Sequence, residues 1–385
     1  MTHPPVPPPR STLTHPCLAL QLHIYELPSL PPRAQPLPSS PSPRNQWLSS
    51  ASAASCRTSR SRSTTSLCAC RRSLSLAAAA AAAASSASDA RLSDYERLSV
   101  LGHGNGGTVY KARHRRSAQP LALKIFAPGD PSAAREAEIL KLVADAPHVV
   151  RLHAVIPSSA TAAAAGEAPA ALALELMPGG SLAGLLRRLG RPMGEHPIAA
   201  VARQVLLGLE ALHALRVVHR DLKPSNLLLG AGGDVKIADF GAGKVLRRRL
   251  DPCASYVGTA AYMSPERFDP EAYSGDYDPY AADVWSLGVA ILELCLGHFP
   301  LLPEGQRPDW AALMCAICFG DAPEPPAAAS EEFRDFVARC LEKKAGRRAS
   351  VAELLEHPFV AEKDAAAAKQ ALAALVAEAE EQTDP

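Results

Sequence analysis

Residues 219–241 read HRDLKPSNLLLGAGGDVKIADFG, and this stretch decides both the fold and the position of the site. The apolar segments Asn226 to Leu229 and Val235 to Ala238 flank a glycine-rich turn, so they predict a β-hairpin. The hairpin would place Asn226 at its beginning and Asp239 directly after its end. A long apolar-periodic helix precedes His219, so Asp221 would lie in the loop between that helix and the hairpin.

Four side chains in this stretch have complementary chemistry. Asn226 and Asp239 offer hard oxygen ligands of the kind that Mg²⁺ prefers. Asp221 can accept or orient the proton of a hydroxyl group, and Lys223 can stabilise a phosphoryl group in transfer. A tripeptide such as DFG means little alone, so the interpretation depends on what precedes it in the chain.

A glycine-rich segment lies upstream, where Leu98 to Lys111 reads LSVLGHGNGGTVYK. Gly102, Gly104 and Gly107 carry no Cβ, so the backbone can approach phosphate oxygens closely. Dinucleotide-binding folds share this glycine spacing, but there the turn opens a helix. Here the sequel Thr108 to Tyr110 is β-prone, which favours a loop that folds back as a hairpin.

A lysine and a glutamate follow the glycine loop. Lys124 ends an apolar strand, and taken alone it would be an ordinary surface lysine. Asp130 and Pro131 are typical of a helix start. In that helix Glu136 falls on the apolar stripe, whereas Glu138 faces elsewhere. Because a carboxylate on a buried face needs a partner, we expect Glu136 to pair with Lys124.

The ordered series of glycine loop, lysine, glutamate, HRDLKPSN and DFG resembles the eukaryotic protein kinases over residues 95–360. The resemblance implies an α+β, bilobal fold with a β-rich small lobe at 95–177 and a mostly helical large lobe at 178–360. ATP would bind between the lobes, with Leu174 beside the adenine and backbone groups of Glu175 to Met177 in the hinge. The implied catalytic residues are Asp221, Lys223, Lys124 and Glu136. The implied ATP contacts, with Mg²⁺ on Asn226 and Asp239, are Gly102, Gly104, Gly107, Val109, Ala122, Lys124, Leu174, Glu175, Met177, Asn226 and Asp239.

Finer motifs resemble the plant MAP kinase kinases. Lys223 to Asn226 (KPSN) and Val257 to Arg267 (VGTAAYMSPER) are similar to that group, and Asp251 to Cys253 is similar to its plant branch. The resemblance implies phosphorylation of Thr and Tyr in the T-x-Y loop of a downstream MAP kinase, under control of an upstream MAP kinase kinase kinase. The alternatives are a Ser/Thr kinase outside this group and a weakly active or pseudokinase module that docks a MAP kinase.

The sequence departs from the family pattern in three places. Of two phosphorylatable positions in the activation segment, Ser255 occupies the second, but Arg249 stands at the first. The gap from Lys124 to Glu136 is short, at 12 residues, which predicts a helix truncated at its start. Lys344-Ala345 replaces the usual Asp-Pro before Arg348, the family partner of Glu266, and we expect this to loosen the loop.

The segment of residues 1–90 is rich in Pro, Ser, Arg and Ala and shows no sustained periodicity, so we expect disorder. Within it, Arg71, Arg72, Leu74 and Leu76 resemble the docking peptide by which these kinases hold their MAP kinase. The alternatives are a plastid transit peptide and a tail without a role. At the other end, residues 361–385 form an Ala- and Glu-rich tail with weak helical periodicity.

Composition limits the compartment and the partners. The net charge of +1 favours neither nucleic acid nor an anionic membrane as a partner. The apolar stretch Val284 to Leu296 is interrupted by Glu293 and is too short to span a bilayer. Nine cysteines without disulfide spacing indicate reduced thiols. We therefore expect a cytoplasmic protein, with the nucleus as a second compartment and plastid targeting as the less favoured alternative.

Overall fold

Five antiparallel strands and one helix form the small lobe. The computed structural model describes residues 90–104, 106–159, 167–247, 257–272, 277–303, 305–306, 308–361 and 364–382. The sheet has the strand order β1-β2-β3-β5-β4. In chain order these elements are β1 (Tyr95–Gly104), β2 (Gly107–His114), β3 (Pro120–Phe126), α1 (Pro131–Leu142), β4 (Leu152–Ile156) and β5 (Ala171–Leu174).

The two faces of β3 pack against different hydrophobic clusters. Leu121 and Leu123 pack into a small outer cluster around Tyr95. Ala122 points the other way and joins the main core, which includes the buried face of α1. Because side chains alternate along a strand, Lys124 faces the same side as Ala122. The alternation of side chains along β3 therefore directs Lys124 toward the main core, away from solvent.

The start of α1 follows from its cap. The Asp130 carboxylate accepts a hydrogen bond of 2.8 Å from the Ser132 amide, and Pro131 occupies the first turn. The helix begins only five residues before Glu136. The truncation that the short gap predicts is thus present, and Glu136 lies near the helix start.

The large lobe is mostly helical. Its strands β8 and β9 pair antiparallel, with Leu227 opposite Ile237, as predicted for the hairpin. In chain order its elements are β6 (Gly180–Ser181), α2 (Leu182–Leu189), α3 (Glu195–Ala214), β7 (Val217–Val218), β8 (Leu227–Leu229), β9 (Val235–Ile237), β10 (Lys244–Val245), α4 (Pro265–Phe268), α5 (Pro279–Leu296), α6 (Trp310–Met314), α7 (Glu331–Cys340), α8 (Val351–Leu355) and α9 (Ala365–Glu381). The predicted α+β bilobal fold is confirmed.

Helix α5 is the centre of the large lobe. Its 18 residues are long and apolar enough in composition to cross a membrane, but 78% of the helix is buried inside the protein. The helix begins at Pro279 and is therefore longer than the apolar stretch Val284 to Leu296 that the sequence shows. Its apolar character is explained by the core that it forms around Trp285, which is completely buried.

The C-terminal tail is an ordered helix. In α9 four small or aliphatic residues are buried along one face, and they belong to the main core. They are Ala368, Leu372, Val376 and Ala379. The helix packs against α3 and α2.

A buried ion pair ties α4 to the rest of the large lobe. Both nitrogens of the Arg348 fork bind the Glu266 carboxylate, at 2.7 and 3.0 Å, and neither side chain is exposed to solvent. Arg348 also donates to the carbonyls of Ala281 and Glu342. Its own amide donates to the Lys344 carbonyl at 3.1 Å, so the replaced dipeptide still contributes to the turn before Arg348. Whether Lys344-Ala345 loosens this loop stays a prediction.

Replacing Arg348 with Ala should lower the free energy of unfolding by about 3–5 kcal/mol, because Glu266 would stay buried without its partner. The measurement is urea denaturation of the purified chain. The matched control is Arg113→Ala, which breaks an exposed ion pair with Glu96. Water screens that pair, so stability should change little. An equally small loss of unfolding free energy in both variants would show that the buried pair of Arg348 and Glu266 contributes little to stability.

Candidate active site

Lys124 is the junction between the two lobes. Its ammonium group lies 2.6 Å from Oε2 of Glu136 on α1 and 2.9 Å from Oδ1 of Asp239 after β9. The Lys124 and Glu136 side chains are 8% and 1% exposed. The ion pair expected from the sequence is therefore present, and Asp239 extends it to the large lobe.

Burial and charge oppose each other in this network. Burial raises the pKa of Glu136 to about 7, although the Lys124 charge acts in the other direction. Burial alone would raise the pKa of Asp239 too, but there Lys124 prevails and the pKa falls below its ordinary value. The two carboxylates bound to one ammonium group thus differ in acidity, and Asp239 holds its negative charge more firmly.

The Asp221 carboxylate is held by three donors. Lys223 Nζ donates to Oδ2 at 2.8 Å, and Asn226 Nδ2 donates to the same oxygen at 3.1 Å. The Thr259 amide donates to Oδ1 at 2.7 Å. Lys223 also donates to the Thr259 hydroxyl at 2.5 Å. Asp221, Lys223 and Asn226 are brought together as predicted, and the segment that follows the activation loop joins them.

Asp283 on α5 supports this loop from below. Its side chain is 1% exposed and accepts hydrogen bonds of 2.9 Å from the amides of both His219 and Arg220. Arg220 adopts a left-handed backbone conformation with φ of 66°, as does Asp239. Such conformations are strained in residues other than glycine and persist only when their surroundings fix them. The buried Asp283 of α5 supplies that fixation for the catalytic loop.

The glycine loop is the tip of the β1–β2 hairpin. Gly104 pairs with Gly107, and the chain continues as strand β2 rather than as a helix. A Cβ at Gly107 would collide with the Ile125 carbonyl, and its φ of 141° also requires glycine. Gly102 on β1 lies opposite Val109 on β2, and Val109 in turn lies opposite Lys124 on β3. The hairpin that the sequence predicted therefore ends above the Lys124 network.

The hinge begins where β5 ends. Ala122 pairs with Leu174, so both lie next to the Lys124 position in the sheet. The Glu175 amide donates a hydrogen bond to the Arg151 carbonyl. Of the two backbone groups of Glu175 that were expected to contact ATP, only the carbonyl is therefore available. The Glu175 carboxylate instead binds Lys236 of β9, at 2.7 and 2.8 Å. Met177 follows, 8% exposed.

Comparison with known proteins gives the family. The protein kinase domain matches residues 95–360. Over 274 residues the chain is 51% identical to mitogen-activated protein kinase kinase 9 of Arabidopsis thaliana, which covers 70% of this chain and 85% of that relative. Identity to Arabidopsis mitogen-activated protein kinase kinase 7 is 49% over 276 residues, covering 70% and 86%. The chain belongs to the plant mitogen-activated protein kinase kinases.

Membership in this family makes the chain an ATP-dependent, dual-specificity protein kinase. It implies in general a MAP kinase as substrate and control by an upstream kinase. Tobacco mitogen-activated protein kinase kinase SIPKK is a more distant relative, with 37% identity over 278 residues, covering 70% of this chain and 74% of that relative. The family, fold class and enzyme class expected from the motifs are confirmed.

In this MAP kinase kinase, sequence reasoning missed three positioning residues. Thr259 lies within the quoted segment Val257 to Arg267, and Asp283 directly precedes the apolar stretch from Val284, but only the folded chain shows which loop each of them holds. Arg135 of α1 donates a 2.8 Å hydrogen bond to the carbonyl of Gly241, two residues after Asp239. Arg135 precedes Glu136, so the helix reaches the segment around Asp239 directly through Arg135 and, by way of Lys124, through Glu136. No local pattern distinguishes Arg135 from a solvated arginine.

The docking residues Arg71, Arg72, Leu74 and Leu76, and the activation-segment positions Arg249 and Ser255, lie outside the described residues. Their roles stay predictions.

The raised pKa of Glu136 predicts a pH-dependent kinase. Lowering the pH through about 7 should protonate Glu136, weaken its hold on Lys124 and reduce kcat/KM for ATP by about tenfold between about pH 8 and about pH 6. In Glu136→Gln the activity should be low and this ascending limb should be absent. The matched control is Glu138→Gln, since Glu138 is exposed on the same helix. An unchanged ascending limb in Glu136→Gln would assign it to another group.

Proposed function

We propose that this chain transfers the γ-phosphate of ATP, bound with Mg²⁺, to the Thr and Tyr of the T-x-Y loop in a downstream MAP kinase. The observation that carries the proposal is the contact of one buried ammonium group, Lys124, with both Glu136 and Asp239. No observation favours the alternative of a docking module with little phosphoryl transfer. The relatives named as MAP kinase kinases support the substrate class.

The donor atoms fit a divalent cation. Asn226 uses its Nδ2 for Asp221, and its amide oxygen remains to act as a ligand. Asp239 uses Oδ1 for Lys124, so Oδ2 remains as a second hard oxygen. Among the described residues no cluster of three His, Cys, Asp or Glu side chains could hold a metal alone. An ion here would complete its shell with phosphate oxygens and water, as Mg²⁺ does, and would neutralise phosphate charge.

The remaining work falls to the protein. Lys124 binds the α- and β-phosphates, and backbone amides of the glycine loop approach from above. Asp221, fixed by its three donors, orients the substrate hydroxyl and takes its proton as the oxygen attacks phosphorus. Lys223 lies beside Asp221 and stabilises the negative charge on the phosphoryl group in flight. Because the chemistry is largely positioning, the hydrogen bonds that fix Asp221 are as important as its charge.

The test is transfer from radiolabelled ATP to a kinase-dead MAP kinase. Asp221→Asn should lower the rate by about 10²–10⁴-fold, because the base is lost, with nucleotide binding retained. Label on Thr alone, without Tyr, would place the chain among ordinary Ser/Thr kinases. In a second arm, Arg71, Arg72, Leu74 and Leu76 are changed to Ala, which should raise KM for the MAP kinase but not for ATP if this segment docks. Wild-type rates in Asp221→Asn would refute the assignment.

Cytoplasmic location, with the nucleus as a second compartment, is part of the proposal. A fluorescent fusion to residues 1–90 tests it, since import into plastids would identify the segment as a transit peptide instead.

Activation is proposed to depend on Ser255 alone. A phosphate there carries about −1.5 to −2 charges and could order the activation segment against basic groups. Two anchors flank this position in the described part of the chain. Arg267 donates to the carbonyls of Val257 and Arg220, and Arg220 Nε donates to the Ala242 carbonyl at 2.7 Å. The segment thus has fixed ends between which a phosphorylated Ser255 would act.

With Ser255 as the single switch, Ser255→Ala should be nearly inactive after treatment with an upstream kinase, and Ser255→Asp should be partly active. Assaying both beside Arg249→Thr decides between one site and two. Full activity of Ser255→Ala would remove the site. A large gain in Arg249→Thr would show that a second switch has been lost from this chain and that the remaining one is insufficient.

A further inference from the structure

Helix α9 lies outside the residues that the protein kinase domain matches, yet it belongs to the core. The match ends at residue 360, and α9 spans Ala365–Glu381. Its buried residues recur at helical spacing along one face, and Leu372, Val376 and Ala379 are at most 1% exposed. A solvated tail would not bury such a stripe. The question is which part of the kinase this helix supports.

One contact of α9 reaches the hinge. Gly179 follows Met177 by two residues, and its amide donates to the Leu229 carbonyl at 2.9 Å. A Cβ built at Gly179 would lie 3.0 Å from Cβ of Leu229 and 3.2 Å from Cγ1 of Val376. The hinge glycine is therefore enclosed between β8 on one side and α9 on the other. Any outward shift of the hinge at this point is blocked by the Val376 side chain.

A second contact reaches the turn between β8 and β9. Lys369 Nζ binds Asp234 Oδ1 at 2.6 Å. The α9 backbone approaches the same turn, since a Cβ at Gly233 would lie 2.5 Å from the Lys369 carbonyl oxygen. From inside the lobe, Gln204 of α3 donates to the Gly233 carbonyl at 2.9 Å. The turn is thus in contact with α9 on one side and with α3 on the other. The hairpin that contains this turn has Asn226 directly before β8 and Asp239 shortly after β9.

A third contact fixes the far end of the helix. Arg191, just after α2, binds both oxygens of Glu378 at 2.8 Å. The three contacts fall at Lys369, Val376 and Glu378, over about two and a half turns of α9, so the helix spans from the β8–β9 turn, across the hinge, to the end of α2. Two of these elements carry residues of the candidate site, since Met177 lies in the hinge and the β8–β9 hairpin lies between Asn226 and Asp239.

We propose that α9 positions the nucleotide-binding hinge, with Val376 and Lys369 as positioning residues for ATP. Val376 limits the position of Gly179, and Lys369 holds the β8–β9 hairpin against the same helix. Loss of either contact would let the hinge and the hairpin move relative to each other, which weakens ATP binding without touching the phosphoacceptor site.

Two pairs of full-length variants test this proposal. The measurements are the affinity for a fluorescent ATP analogue and the KM for ATP. A generic protein substrate is used, so that the result does not depend on binding of a MAP kinase. Val376→Ala keeps α9 helical, because Ala is the better helix former, and should weaken ATP binding about three- to tenfold with kcat nearly unchanged. The control Leu372→Ala removes a completely buried side chain from the same helix. It should lower the melting temperature more than Val376→Ala but leave ATP affinity near wild type.

The second pair reverses the charges of a half-buried ion pair, so that Lys369→Glu places two carboxylates side by side rather than only removing a contact. Lys369→Glu should weaken ATP binding, and adding Asp234→Lys should restore it, because the ion pair is rebuilt with opposite signs. Unchanged ATP affinity in both Val376→Ala and Lys369→Glu would overturn the proposal. It would also fail if ATP affinity followed the melting temperature across all variants, since α9 would then only stabilise the fold.

Discussion

The contact of Lys124 with Glu136 and Asp239 is the constraint on which the rest of the site depends. It joins three separate elements, namely strand β3, helix α1 and the residue after β9, through one ammonium group. Each partner would be costly to bury alone, because an isolated charge in the interior loses its hydration. The three charges therefore hold one another in place, and the small lobe is set against the large lobe at the point where phosphates would bind.

The catalytic loop is fixed in a different way, by neutral donors on one buried carboxylate. Asp283 lies within the most buried helix, α5, and accepts from the amides of His219 and Arg220. Burial would raise the pKa of Asp283, but its hydrogen bonds, above all that with His213, keep the pKa below its ordinary value. It thus stays ionised and acts as a rigid support. Because Asp221 directly follows these two residues, its backbone is fixed as well. Its carboxylate can then accept hydrogen bonds from Lys223, Asn226 and Thr259 while it keeps one orientation.

The departures from the family pattern differ in consequence. The replacement at Lys344-Ala345 leaves the pair with Glu266 in place, because Arg348 binds this carboxylate and backbone carbonyls rather than the side chains before it. The shortened α1 keeps Glu136 in reach of Lys124 and adds the contact of Arg135 with Gly241. Two of the three departures therefore leave the machinery assembled. Arg249 lies outside the described residues, and its effect on regulation stays part of the proposal for Ser255.

The sequence by itself determined the elements and chemistry that depend on local spacing. The hairpin from Asn226 to Asp239 follows from apolar runs around a glycine turn, and the pairing of Glu136 follows from its place on an apolar stripe. Tertiary structure alone decided the roles of Thr259, Asp283, Arg135 and α9. Their partners are distant in sequence, and an Ala-rich tail has the same local pattern whether it is solvated or packed. Only when α3, the hinge and the β8–β9 turn come together is there a surface for Val376 and Leu372 to bury against.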